Sequence, residues 1–197
     1  MKKSLLQVLL FCCLALPLLA PLLLAQELQL SSVIANVSVQ PPSTVTFNEQ
    51  RHSAMLKEPL LLTGRLEYPA AGYLRKIIEH PFEETIRVSQ QQIEVTRDGQ
   101  TQRLSLKSNR LMQTLLGGIE ALLAGDTARL EKDFEPTLTG TAADWVLRLQ
   151  PRVKRVAAHL QYIEVRGDAA SVQSIRIQFD DQEWQLMELH TATSERP

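Results

Sequence analysis

Both cysteines of the chain, Cys12 and Cys13, lie inside an N-terminal apolar run, and none follows. From Leu5 to Leu24 the only polar side chain is Gln7; Lys2 and Lys3 precede the run, and Leu23-Leu24-Ala25 ends it before Gln26-Glu27. A positive start, an apolar stretch and a small residue at its end are the parts of a secretory signal peptide. Cleavage is expected after Ala25, because Pro21 would follow a cut after Ala20. The alternative is an uncleaved anchor, since a run of 20 residues can span a bilayer. Against it, Pro17 and Pro21 break the last helical turns, and no basic stop follows. Residues 1–25 are therefore expected to be a leader, and residues 26–197 a single exported domain, free of thiols. That rules out disulfides, cysteine nucleophiles and thiolate metal sites in the domain. A lipid-bearing cysteine at the cut, as in a bacterial lipoprotein, is also missing. Such a domain must be held by its core, for which its length suffices.

The net charge is -1, from 21 basic and 22 acidic residues. It becomes more negative once Lys2 and Lys3 leave with the leader. That balance offers no basic face for nucleic acid.

Residues 27–38 carry Leu30, Val33, Ile34 and Val37 at helical spacing, ended by Pro41-Pro42. From residue 44 the period changes to two. Leu60, Leu62, Gly64, Leu66 and Tyr68 alternate with Leu61, Thr63, Arg65 and Glu67, which predicts a strand. Pro69-Ala-Ala-Gly72 is a turn, with a return strand over Tyr73 to Ile78. Ile86 and Val88 begin another strand. Ile93 and Val95 lead into Asp98-Gly99, a hairpin signal, and Leu104 and Leu106 complete the hairpin. Leu111, Leu115, Ile119 and Leu122 then fall on one helical face, widened by Met112, Leu116 and Leu123. Gly117-Gly118 costs this helix about 2 kcal/mol of propensity, so a kink or flexible point is expected there. Gly125 is the predicted helix stop and Asp126 the N-cap of a second helix through Phe134. Strands resume after Pro136, including Trp145 to Leu149, Ile163 and Val165, Ile175 to Phe179, and Trp184 to Glu188. Residues 152–160 fit helix or strand equally. Thr191 to Pro197 are expected to form a tail. The total is roughly nine to eleven strands at hairpin spacing, without βαβ alternation.

Chemical motifs are scarce. There is no Gly-x-Ser-x-Gly elbow, Gly-rich phosphate loop or His-Glu-x-x-His, and thus no catalytic, cofactor or metal site to assign. His52, His80, His159 and His190 lack ligand spacing. Glu83 and Glu84 would point to opposite faces of a strand, and Asp180-Asp181 suits a turn. A two-carboxylate glycosidase built from distant strands remains a minor alternative. Asn36-Val-Ser38 is a glycosylation sequon, relevant only in a eukaryotic secretory pathway. Strands with one apolar face and an apolar helical pair have two solutions. Either the sheet closes on a filled core, or its concave face and the helices enclose a cavity. Periodicity does not choose between them.

An ordered series of residues bears on that choice. It runs Phe47-x-x-x-Arg51, Leu56-x-x-Pro59-Leu60, Gly64-x-Leu66-x-Tyr68, Leu74-Arg75 and Pro81-x-x-Glu84. It continues with Leu122-Leu123-Ala124-Gly125-Asp126, Phe134, Gly140, Trp145-x-Leu147-x-Leu149-x-Pro151, Ile163 and Gly167. The series resembles the outer-membrane lipoprotein carrier (LolA-like) family, and more closely its divergent branch with the Leu-Ala-Gly-Asp element, over residues 44–190. The resemblance implies a mainly β fold with α: a curved, unclosed antiparallel half-barrel under a helical lid. It further implies a non-catalytic periplasmic carrier. Such a carrier accepts the acyl chains of a lipoprotein or other lipid from an inner-membrane donor complex and passes them to an outer-membrane acceptor. A monomer is expected. Burial is worth about 0.8 kcal/mol per CH₂, so a chain of about fourteen carbons does not cross water unaided.

On this reading Leu62, Leu66, Ile78, Ile86, Trp145, Leu147, Ile177 and Leu186 lie near the concave face. Leu111, Leu115, Ile119 and Leu122 line the lid. The Arg that tethers the lid in the best-studied carriers is replaced by Ala70, leaving Arg65 or Arg75 to substitute. The C-terminal element of the standard carriers is expected to be short or missing. Two other classes stay open: a non-transporting assembly or binding module using the outer face of the sheet, and a hydrolase acting on the same lipid.

Overall fold

The structure is a computed structural model and describes residues 28–89, 92–169 and 171–191. The proposed leader and residues 192–197 of the expected tail lie outside the described residues, whereas Thr191, also expected in the tail, ends the last strand. The chain begins with helix α1 (Leu30–Val37), whose Val33, Ile34 and Val37 are buried. Six strands follow: β1 (Ser43–His52), β2 (Leu60–Ala70), β3 (Tyr73–His80), β4 (Glu84–Val88), β5 (Gln92–Arg97) and β6 (Gln100–Ser105). A 3-10 turn (Leu106–Ser108) leads to helices α2 (Arg110–Ala124) and α3 (Thr127–Asp133). The second half contains β7 (Phe134–Thr141), β8 (Asp144–Pro151), α4 (Lys154–Ala157), β9 (Tyr162–Asp168), β10 (Ser171–Gln178) and β11 (Trp184–Thr191).

The eleven strands form one sheet in the order β6-β5-β4-β3-β2-β1-β11-β10-β9-β8-β7. The described pairings are antiparallel, and β6 and β7 are the edges, so the sheet is not closed into a barrel. β1 and β11 meet at its centre, Phe47 opposite Leu189. Local chemistry accounts for the connections. Asp98 and Gly99 have φ of 51° and 75°, the positive pair that a two-residue hairpin needs. Gly125 caps α2 at φ 71°, and the Asp126 side chain accepts the Arg129 N–H at 2.9 Å to start α3. Pro136 is tolerated because β7 is an edge strand.

Two expectations change and one open segment is resolved. Leu106 does not extend β6; it turns inward in the 3-10 turn and packs with Val88 and Ile93. Residues 154–157 of the ambiguous segment are helical, with Val156 buried. Helix α2 runs unbroken through Gly117-Gly118. Gly118 is used for packing: a Cβ there would lie 2.7 Å from the buried Phe134 ring.

The main core joins α1, α2 and α3 to β7, β8 and β9, around Ile34, Leu115, Leu130, Phe134, Leu149, Leu160 and Ile163. Two smaller clusters lie on the other half of the sheet. One is Phe47, Leu62 and Ile78; the other is Val88, Ile93 and Leu106, against which Met112 and Leu116 of α2 pack. Helix α2 therefore bridges both halves of the curved sheet.

Candidate functional site: the cavity under the helices

Strand register assigns the faces, because directly opposed residues share one. Val45, Phe47 and Glu49 of β1 sit opposite Leu66, Gly64 and Leu62 of β2, and opposite Thr191, Leu189 and Met187 of β11. Ile175 of β10, Val165 of β9 and Leu147 of β8 continue this row. It is the concave face, and the helices cover it.

Between them lies a cavity of about 520 Å³, within the range of about 300–1,000 Å³ usual for small-ligand sites. From above it is lined by Val33 and Val37 of α1 and Ile119, Leu122 and Leu123 of α2. From below, the lining includes Val45, Leu66, Leu74, Leu147, Val165, Ile175 and Leu189. Trp145 forms a wall. Its ring lies against Gly167, which leaves no space for a Cβ, and its buried Nε1 has no hydrogen-bond partner. Polar lining residues are Ser38, Ser43, Glu67, Asp168, Ser171 and Gln173, at the strand ends and turns. The Asp168 carboxylate accepts from Gln173 Nε2 at 2.7 Å. The described lining contains no lysine, arginine or histidine.

At the opposite end the concave face is filled. Phe47, Leu62 and Ile78 are each 1 % exposed. Leu66 and Leu189, which line the cavity, also pack against this cluster. Beyond Phe47 on the same face is Glu49, its side chain fully buried and paired with Lys76 and with Arg51 at 2.9 Å. Lys76 Nζ stands 4.9 Å from the Phe47 ring centroid. Burial lowers the Lys76 ammonium from its ordinary value, while Glu49 opposes the shift.

Of the twelve residues singled out from the sequence, Leu66, Ile119, Leu122, Trp145 and Leu147 meet around this cavity. Leu62 and Ile78 belong to the Phe47 cluster instead. Ile86 packs on the Val88 cluster. Leu115 is buried in the main core, with Leu111 and Ile177 packed against that core. Leu186 is a correction: it sits opposite Gln50 and Arg176, on the convex face. Trp184, on that same convex face, stacks on His52 at 5.6 Å and lies under Arg176, so apolar side chains there have partners of their own.

Arg65 and Arg75 do not reach the helices. Arg65 pairs with Glu67 and Glu79, and Arg75 with Glu67. Burial pushes the Glu67 carboxyl up, but the bonds from the two arginines outweigh it and hold it below its ordinary value. Two hydrogen bonds instead join the helices to the segments that flank them. Val39 N–H donates to the Leu123 carbonyl at 3.0 Å, and Gln113 Nε2 donates to the Leu106 carbonyl at 2.7 Å. The cavity residues contributed by α1, and Val172, Ile175 and Leu189, were not singled out from the sequence. Val33 and Val37 were visible there only as a helical apolar stripe.

Among the described residues no cluster of three or more His, Asp or Glu side chains is arranged to hold a metal ion, and no helix is long and apolar enough to cross a membrane.

Comparison with known proteins gives a family match. The family model for outer membrane lipoprotein carrier protein LolA-like sequences matches residues 24–195. No curated protein matches. Among solved structures, a LolA superfamily protein from Nitrosomonas europaea aligns at 14 % identity and a TM-score of 0.43, covering 81 % of this chain and 90 % of that one. LprF from Mycobacterium bovis aligns at 11 % identity and a TM-score of 0.37, covering 85 % and 94 %. A domain described as outer membrane lipoprotein-sorting, from Vibrio parahaemolyticus, aligns at 11 % identity and 0.36, covering 78 % and 86 %.

Proposed function

The chain belongs to the outer membrane lipoprotein carrier protein LolA-like family, and on that footing we propose that it is a periplasmic carrier of acyl chains. The cargo is a lipoprotein or another acylated lipid. It is received at the inner membrane, carried by a monomer without catalysis, and released at the outer membrane. The leader, residues 1–25, delivers the chain to that compartment and is removed after Ala25.

One observation carries this reading: a cavity of about 520 Å³, lined mainly by apolar side chains, lies between the concave face and the helices. Each methylene hidden there is worth about 0.8 kcal/mol, so even a partly inserted chain is held firmly. Release requires a competitor for the same surface, and helices that share the cavity lining supply one.

The test is native mass spectrometry of protein purified from a membrane-free extract, with titration by a fluorescent fatty acid. Co-purified lipid and saturable binding are expected. A lipid-free protein that does not bind the probe overturns the proposal.

A further inference from the structure

The concave face is divided, and the division bears on what the cavity accepts. We infer that Phe47, with Leu62 and Ile78 beside it, is the stop that sets the length of acyl chain the protein takes. The inference rests on the reading of the cavity as an acyl-chain site.

Phe47 occupies the middle of the concave row, with Leu189 opposite it on β11 and no side chain opposite it on β2. Its β2 neighbour is Gly64, kept free of a Cβ because the Ile77 carbonyl occupies that space. The Phe47 ring is 1 % exposed and packs with Leu62 and Ile78. On the near side, Leu66 and Leu189 belong to both the cavity wall and the packing around Phe47, so the void ends against this cluster. On the far side a buried ionic group interrupts the apolar packing. Glu49 follows on the same face of β1, buried and bound by Lys76 and Arg51, with Lys76 over the Phe47 ring. A methylene pushed past the ring would have to displace the packed Leu62 and Met187 side chains and would disturb a buried carboxylate whose partners are already in place. The chain therefore has a hard end, and binding stops improving with length once it is reached.

The test is displacement of a fluorescent fatty acid by saturated monoacylglycerols of increasing chain length. For the natural protein, affinity should rise about fourfold per added methylene and then level off. In Phe47→Ala the levelling should move to chains longer by at least two methylenes. Leu62→Ala opens the same stop from β2 and carries the test should the first variant fail to fold, as judged by circular dichroism. An unchanged plateau in a folded variant, or no plateau in the natural protein, overturns the stop while leaving the acyl-carrier reading intact. Absence of fatty acid binding by the natural protein overturns the reading itself.

Discussion

Val39 donates its backbone N–H to the carbonyl of Leu123 across 3.0 Å. Both residues line the cavity, so this bond fastens the segment after α1 to the last turn of α2 directly at the site. Replacing Val39 by proline deletes the donor. The preceding residue, Ser38, is extended at φ -60° and ψ 140°, which suits a residue before proline. Val39→Pro is expected to speed release of a bound fluorescent fatty acid several-fold while sheet content by circular dichroism stays constant. An unchanged off-rate would show that this bond does not hold the cover.

Ile119 and Leu115 lie one helical turn apart on α2 and have different duties. Ile119 faces the cavity, and Leu115 is 7 % exposed within the main core. Ile119→Glu places a carboxylate against the cavity and should weaken probe binding by roughly tenfold or more with little change in melting temperature. Leu115→Ala should instead cost about 2–5 kcal/mol of stability in chemical denaturation. Matching effects of the two substitutions on both measurements would contradict this separation.

The adjacent glycines of α2 give a second contrast. Nothing lies within 4 Å of a Cβ built at Gly117. Gly117→Ala should therefore stabilise the protein by about 1 kcal/mol through helix propensity alone. A Cβ at Gly118 meets Phe134 Cε2 at 2.7 Å, and that ring is buried. Gly118→Ala should lower the melting temperature, since overpacking of about 1–3 kcal/mol outweighs the same propensity gain. Equal shifts in the two variants would mean that α2 does not press on Phe134.

Glu164 on the convex face accepts from Arg148 at 2.7 Å and from Arg166 at 2.9 Å. Burial pushes its carboxyl up, but the two guanidinium groups outweigh that and hold it below its ordinary value. A lowered native value means stability that is present above the unfolded value and lost as pH falls through the folded one. Glu164→Gln should thus be less stable than the natural protein near pH 7, with the gap closing below about pH 5. A gap independent of pH would remove the charge from the explanation.

Features encoded by neighbouring residues were legible in the sequence. Asp98-Gly99 turns the chain because two adjacent residues accept positive φ, and Gly125-Asp126 stops one helix and starts the next. The face of β11 was not legible. Leu186, Met187 and Leu189 are all apolar, and only pairing with β1 places Met187 and Leu189 inside and Leu186 outside. The extent of the cavity was hidden for the same reason. Leu62 and Leu66 read identically in an alternating strand. One packs with Phe47 and Ile78 and the other borders the void, a difference set by strands far away in the chain. Likewise Gly117 and Gly118 suggest a hinge to propensity, whereas the position of Phe134 decides what the second of them is for.

The two free margins of the sheet, β6 and β7, are joined in the chain only through residues 106–133. The cover is thus also the covalent link between the two margins, and any change in their separation has to be taken up by the same residues that roof the hollow.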